Sequence, residues 1–484
     1  MNSSPALLIG LCALILWLTQ WLVHSRRSPL PPGPKTWPLV GNLLDVPKAH
    51  PWLVYDGWAK QYGDILSLNV MGRTIIILNS SQATQDLFEK DASVYSDRPH
   101  SVVINELMEF PRVMGVSHYG EHWRRQRRAF HQMFSPSMVE KYQPVTIRES
   151  RKMVQRLLAD PDHFQSHIRL ALGAAMMEVT YGIRVSGWDD RYLSTAERVA
   201  RHFMEALVPV AFLVERIPFL KYVPAWFPFA GFRRKMAKWR EDVQVAFRDP
   251  YEYVKESMGR GGTSALAALL VKSQDAKEPQ EEDIAAQYAM ASVYIDITTA
   301  GVDTTISAIH SFLLAMMLYP DKQKAAQAEL DRVAGDNGLP DSNDRTNLPY
   351  VKAVMTEVLR WRPPVPLALP HTSSCEGVYK GYHIPAGSTI FANARSILHD
   401  PLVYPEPDEF IPERFITNAA LDLKGKDPVA SFGLGRRICP GRWFSEASFY
   451  SIASHLLATF TILDEDADTK DLRTARGMTS EVIS

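Results

Sequence analysis

Ala6 to Val23 runs 18 residues without a charge, broken only by Gly10, Thr19 and Gln20. That length is near the lower limit for a membrane-crossing helix. His24, Arg26 and Arg27 follow, which by the positive-inside rule keeps the rest of the chain in the cytoplasm. A cleaved signal peptide would carry a basic n-region, which is not seen here. Pro29, Pro31, Pro32, Gly33 and Pro34 then form a stiff, extended spacer. His50 to Tyr62 reads as a helix. Ile65 to Leu78, rich in β-branched residues around Met71-Gly72, reads as a hairpin. Residues 95 to 118 show no clean period and carry Arg98, Pro99, Pro111 and Gly115, so they read mostly as loop.

Further on, Arg201 to Arg240 is crowded with aromatic residues and prolines. Core packing explains part of this, and a segment from Phe219 to Phe232 that dips into a bilayer, flanked by Arg233, Arg234 and Lys235, is the alternative. Met258 to Ser264 carries three glycines and reads as a mobile loop. Glu281 to Tyr319 reads as one helix, acidic at its start and stopped by Pro320. At 1.5 Å per residue it would run roughly 55–60 Å. Asp283, Asp296 and Asp303 argue against its crossing a membrane. A last apolar run, Trp443 to Phe460, predicts a helix beginning near Pro440.

With 484 residues, 46% of them hydrophobic, the chain can bury a large core. A formal net charge of −1 gives no electrostatic case for nucleic acid. Three cysteines, Cys12, Cys375 and Cys439, exclude a disulfide framework.

The candidate chemistry gathers at Phe432-Gly433-Leu434-Gly435-Arg436-Arg437-Ile438-Cys439-Pro440-Gly441. A cysteine binds iron as a thiolate, which neighbouring arginines and a helix N-terminus favour. Gly435 permits a tight turn, Gly441 lets the backbone approach a flat cofactor, and Phe432 can shield the sulfur from water. A buried, inert cysteine in a Gly-rich turn is the plainer alternative. Upstream, Trp123 and Arg127 lie four apart on one helix face, an indole N–H and a guanidinium that together suit a carboxylate. The remaining Arg124, Arg125 and Arg128 offer a docking surface for an acidic partner, although charge runs are usually solvated. Ala300-Gly301-Val302-Asp303-Thr304-Thr305 weakens the long helix at its middle, where the Thr304 hydroxyl can bond back to the Ala300 carbonyl. Glu357 and Arg360 stand one helical turn apart. His371 follows the apolar, Pro-rich stretch Pro363 to Pro370.

The ten-residue segment resembles the haem-ligand loop of the cytochrome P450 family, F-x-x-G-x-R-x-C-x-G, without a mismatch. Trp123 and Arg127 match the family's W-x-x-x-R, residues 300–305 its [AG]-G-x-[DE]-T-[TS], and Glu357 with Arg360 its E-x-x-R, completed by Arg414. The resemblance implies that Cys439 is the axial thiolate of a haem b, and that Arg437, Trp123, Arg127 and His371 hold its propionates. Phe432, Gly435 and Gly441 would shape the loop. Ala300 and Gly301 would form the oxygen groove, and Asp303 and Thr304 would deliver protons. It covers essentially the whole chain and is closest to microsomal secondary-metabolite members of basidiomycete fungi, including those that act on sesquiterpenes and on tryptamine. One departure is that only 45 residues follow Cys439, fewer than a final strand pair usually requires.

The resemblance therefore implies an α+β fold, mostly α: a triangular haem domain with small β-sheets, on an N-terminal transmembrane anchor helix. Its parts would be the anchor at 1–24, a basic, proline-rich hinge at 25–36 and a catalytic domain at 37–484 with a truncated C-terminal strand pair. The expected reaction inserts one oxygen atom from O2 into an apolar small molecule of sesquiterpenoid type. NADPH would supply electrons through a separate NADPH–cytochrome P450 reductase, with cytochrome b5 as a further donor, at the endoplasmic reticulum membrane. Hydroxylation of an indole amine is the alternative, with Glu106 as the partner of its ammonium group. A haem-thiolate isomerase or dehydratase, or an inactive haem protein, stand as readings of another class.

Overall fold

The computed structural model describes residues 28–110, 113–207, 212–228, 230–296, 301–335, 338–416 and 427–463. The predicted anchor, Ala300 and the expected truncated strand pair lie outside these residues. Among the described residues no helix is long and apolar enough to cross a membrane. The proline-rich spacer is not free-standing where it is described. Ser67 donates to the Pro31 and Pro32 carbonyls, and His383 N–H to that of Pro29, so the segment lies along a small sheet.

The first helix, α1 (Pro51–Tyr62), begins with proline at its first turn and ends at Gly63, whose φ is 104°. Strands β1 (Ile65–Val70) and β2 (Arg73–Leu78) then pair antiparallel in register from Ile65↔Leu78 to Val70↔Arg73. Their turn is Met71-Gly72, with φ of 49° and 84°. Positive φ at both central residues gives the turn whose twist matches paired strands, and the predicted hairpin forms on it. The expected loop at 95–118 is interrupted by a short π-helix, Val102–Leu107. Six residues are too few to show a helical period in sequence.

The helical body follows with α2 (Glu121–Phe134), α3 (Pro136–Ala159), α4 (Phe164–Tyr181), α5 (Arg191–Leu207) and α6 (Gly231–Met258). Then come α7 (Ala265–Ser273), α8 (Pro279–Asp296), α9 (Gly301–Leu318), α10 (Pro320–Ala334) and α11 (Pro349–Trp361). The predicted long helix corresponds to α8 and α9, with its middle residues outside the described set. After α11, β3 (His371–Thr372), β4 (Gly377–Tyr379), β5 (Tyr382–Ile384) and β6 (Thr389–Ala392) lead into α12 (Ala394–Leu398) and finally α13 (Arg442–Thr459). The main sheet has the order β1-β2-β6-β3, with β6 parallel to β2, and β4 and β5 form a separate hairpin.

Helix α13 is buried at every position from Ala447 to Leu457, which identifies it as a central helix and not a surface one. It packs on α3, α9, α10 and α11. Glu357 and Arg360 on α11 have no exposed surface. The Glu357 carboxylate accepts from Arg360 Nε at 2.7 Å and Nη2 at 2.8 Å, from Arg414 Nε at 3.1 Å, and from the Ile411 N–H at 2.9 Å. Arg360 also donates to the Leu398, Pro407 and Glu409 carbonyls. A buried pair is sound only when its remaining groups are satisfied, and here they tie α11 to the stretch leading toward Cys439.

Candidate active site

The loop that presents Cys439 is made by two glycines. Gly433 has φ 84° and Gly435 φ 63°, conformations that β-carbon-bearing residues avoid. A β-carbon on Gly435 would also lie 2.1 Å from the Phe88 carbonyl oxygen. The Cys439 N–H donates to the Phe432 carbonyl at 2.7 Å, closing the loop on itself. Helix α13 starts at Arg442, with Gly441 as its N-cap, two residues later than Pro440 suggested. The thiol therefore stands just ahead of a helix N-terminus, where a negative charge is favoured. No internal contact demands glycine at 441, since a β-carbon there would meet only Cys439 Sγ, at 4.0 Å. Gly441 faces the cavity.

That cavity has about 1700 Å³ of free space, part of it open to solvent. Its walls include Cys439 and Phe432 of the thiol loop and Thr304, Thr305 and Ala308 of α9. Gly301 opens α9. Asp303 is absent from the wall: its carboxylate pairs with Arg169 of α4 at 2.7 Å, on another face of the helix. The Thr305 hydroxyl lies 3.0 Å from that of Ser445 on α13, linking the two walls.

Trp123, Arg127, His371 and Arg437, the four residues expected at the propionates, all line the same cavity. The Arg437 guanidinium stacks 4.4 Å over the Trp123 ring and donates to the Ser96, Met114 and Ser117 carbonyls. Arg98 joins them, donating to the Gly115, Leu369 and Pro370 carbonyls. Carbonyls satisfy hydrogen bonds without cancelling charge. Burial, with Arg437 beside it, pushes Arg98 down to about 9. Burial likewise pushes Arg437 down to about 10, against the pull of Asp97. Arg127, lowered by burial and partly held up by the Cys439 charge, has no ion pair among the described residues. His371 sits well below its usual value through burial and the nearby Arg98. It stacks 4.0 Å from Phe88 and hydrogen-bonds the Tyr95 carbonyl through Nδ1 at 2.7 Å. Among the described residues the one carboxylate on the wall, Glu446, is paired with Arg442.

This donor set fits a haem. It supplies a thiol for the iron, and buried cations short of carboxylate partners for the two acidic side chains of the macrocycle. Arg98 was not among the expected site residues. It lies in an aperiodic stretch where no local signal announces that its side chain is buried beside Arg437. Arg125, expected with Arg124 and Arg128 on a docking surface, is half-buried against acidic side chains of this chain. It pairs with Glu278 at 2.5 Å and lies within 3.7 Å of Glu281 and Glu282, which binds α2 to α8.

Comparison with known proteins agrees with this geometry. The cytochrome P450 family model matches residues 31–480. A cytochrome P450 monooxygenase of Coprinopsis cinerea, COX1, is 38% identical over 477 residues, covering 96% of this chain and 91% of the relative. Monooxygenase 45 of Postia placenta is 39% identical over 460 residues, covering 95% and 86%. Tryptamine 4-monooxygenase of Psilocybe cyanescens is 37% identical over 444 residues, covering 90% and 87%. With the thiol loop, the cationic cluster and the threonine wall meeting at one cavity, the chain belongs to the cytochrome P450 family and is a haem-dependent monooxygenase.

Proposed function

We propose that this enzyme hydroxylates an uncharged, terpenoid-type secondary metabolite. The observation that carries the reading is the character of the cavity wall. Beyond the thiol loop and the arginine cluster it is lined by apolar side chains such as Phe130, Leu172, Met176, Val293, Ala308 and Val365. Among the described residues no unpaired carboxylate faces it, and burying an ammonium group there without a partner would be costly. Glu106, the expected partner for an amine, accepts instead from Lys221 Nζ at 2.6 Å, lies 3.0 Å from His100 Nε2, and is not on the wall.

In the reaction a C–H bond becomes C–O–H, the second oxygen atom of O2 leaves as water, and two electrons and two protons are consumed. NADPH supplies the electrons through a separate reductase, with cytochrome b5 as a further donor. A haem b bound through Cys439 supplies the oxygen activation, the chemistry of the cofactor itself. The chain contributes positioning and protons. Arg98, Arg127, Arg437, Trp123 and His371 would hold the carboxylates of the macrocycle. The Thr304 hydroxyl holds a proton at its Oγ1 on the cavity wall, and Asp303 replenishes it from solvent after parting from Arg169. The apolar wall excludes water from the rest of the site.

The uncharged stretch Ala6 to Val23 and an exposed aromatic group support residence on the endoplasmic reticulum membrane with the catalytic domain toward the cytoplasm. Phe219 is 76% and Trp226 79% exposed, with Tyr222 beside them. Such a group next to Arg233 and Arg234 suits an apolar substrate arriving from lipid. The tryptamine 4-monooxygenase of Psilocybe cyanescens motivates the second reading, an indole amine. Spectral titration of the haem-loaded protein with neutral sesquiterpenes and with tryptamine separates the two, followed by turnover with NADPH and reductase. A tighter shift and oxygenated product from a terpene is expected. A tighter shift with tryptamine overturns the substrate, and turnover without NADPH or reductase overturns the reaction.

A further inference from the structure

The arginines that meet at the cavity are gathered around a carboxylate that is not on its wall. The side chain of Asp97 is 24% exposed. Its Oδ1 accepts from the Arg98 N–H and the Tyr119 N–H, each at 2.9 Å, and its two oxygens lie 3.0 and 3.1 Å from His118 Nδ1. Its backbone carbonyl accepts from the Thr372 N–H at 2.9 Å, next to His371. One residue thus joins the stretch 96–98, the stretch 117–119 and β3, and each of the three supports part of the cluster. Arg437 donates to the Ser96 and Ser117 carbonyls, one from each joined stretch, at 2.8 Å. The Tyr119 ring lies 6.0 Å from the Arg437 guanidinium, and its hydroxyl accepts from Arg436 at 2.6 Å. Arg98 donates to the Leu369 and Pro370 carbonyls, which lead into His371.

The charge of Asp97 acts on this cluster from a distance. Among the described residues its carboxylate pairs with His118 and with neither Arg98 nor Arg437. Burial lowers both guanidiniums, and the Asp97 charge acts against that fall. In the haem-free chain a nearby negative charge favours crowding like cations where water is scarce. The two carboxylates of a bound haem carry the same sign as Asp97, so the same charge then opposes them. It also disfavours adding an electron to the iron. Geometry and charge can be separated experimentally, because asparagine keeps an Oδ1 acceptor and loses the charge.

We propose that Asp97 is a positioning residue for haem binding with two effects. Its hydrogen bonds assemble the arginine cluster, while its charge loosens the hold on the macrocycle and lowers the potential at which the iron is reduced. The inference does not depend on which substrate the enzyme takes. It is tested in the full-length, haem-loaded protein with Asp97→Asn and Asp97→Ala. Asp162→Asn, at an exposed carboxylate just past α3, is the control. Two quantities are measured at pH 8, above the ordinary histidine range: the rate of haem transfer to excess apomyoglobin, and the reduction midpoint potential. Both Asp97 variants should raise the potential, since each removes the charge. Asp97→Asn should slow haem loss roughly threefold or more, because a like charge is gone and the hydrogen bonds remain. Asp97→Ala should speed it roughly tenfold, because the Arg98 and Tyr119 N–H groups lose their acceptor. The control should change neither.

An unchanged potential in Asp97→Asn overturns the role of the charge. Haem loss that speeds up in Asp97→Asn as it does in Asp97→Ala marks a structural hydrogen-bonding residue alone, which also overturns it. Slow haem loss in both variants overturns the positioning role. A shift in Asp162→Asn as large as in Asp97→Asn reduces the effect to net charge and overturns the assignment to this site. Should Asp97→Ala fail to fold, Asp97→Asn still decides, because slower haem loss and a raised potential must occur together.

Discussion

Cys439 offers the most direct test of a single residue. It lines the cavity ahead of α13, whereas Cys375 is exposed on the surface. Cys439→Ser should therefore abolish the long-wavelength Soret band of the reduced carbon monoxide complex. A variant that keeps the band would move the ligand elsewhere. Thr304 and Asp303 are expected to separate cleanly, because only Thr304 faces the cavity. Thr304→Ala should keep the haem spectrum and much of the NADPH consumption while sending electrons to hydrogen peroxide. Positioned proton donors are worth about 10²–10⁴-fold, with water able to replace part of that. Asp303→Asn should slow oxygen-dependent turnover and change its solvent isotope effect. Product formed per NADPH consumed, measured for both variants, decides whether protons travel this way.

At the scale of elements, the thiol loop depends on its contact with the π-helix Gln85–Lys90, to which Phe88 belongs. Gly435→Ala meets both a positive φ and a backbone oxygen that cannot step aside. It should destabilise the protein by about 1–3 kcal/mol and sharply reduce haem incorporation. Denaturant midpoint and haem content per chain are the measurements, and an unchanged haem content would show that the loop can rebuild itself. Gly441→Ala is the matched control. It has no comparable internal clash, so any loss of haem there would report crowding of the cofactor itself. The glycine-rich pattern of the loop was legible in the sequence, but its supporting partner was not. Phe88 lies some 350 residues earlier in a segment with no motif, and only folding sets its carbonyl against Gly435.

For the whole molecule, burial holds His371, His399, His310 and His455 below their usual range near 6.5. Above that range both folded and unfolded chains are neutral at these positions. Below it the unfolded chain takes up protons that the folded protein excludes, so stability falls with pH. The slope is about 1.4 kcal/mol per pH unit for each histidine that stays neutral. Exposed His163, raised by Asp160, acts in the opposite direction. Denaturant midpoints of the haem-free protein should drop between pH 7.5 and 5.5. A flat profile would mean that the buried histidines find proton acceptors on opening.

The sequence by itself determined the family-level chemistry. The Cys439 thiol, the Thr304 hydroxyl and the Trp123–Arg127 pair each sit within a short motif, so the resemblance to the family is legible without any tertiary contact. It also determined the hairpin at Met71-Gly72 and the helices with long, regular periods, because those rest on local conformational preference. Tertiary structure decided everything that depends on distant segments meeting. It brought Arg98 into the cationic cluster and turned Asp303 toward Arg169. It gave Glu106 and Arg125 partners more than a hundred residues away. A charge in a sequence has no direction. Which group it serves is settled only when burial removes water as the alternative partner and leaves the nearest opposite charge to satisfy it.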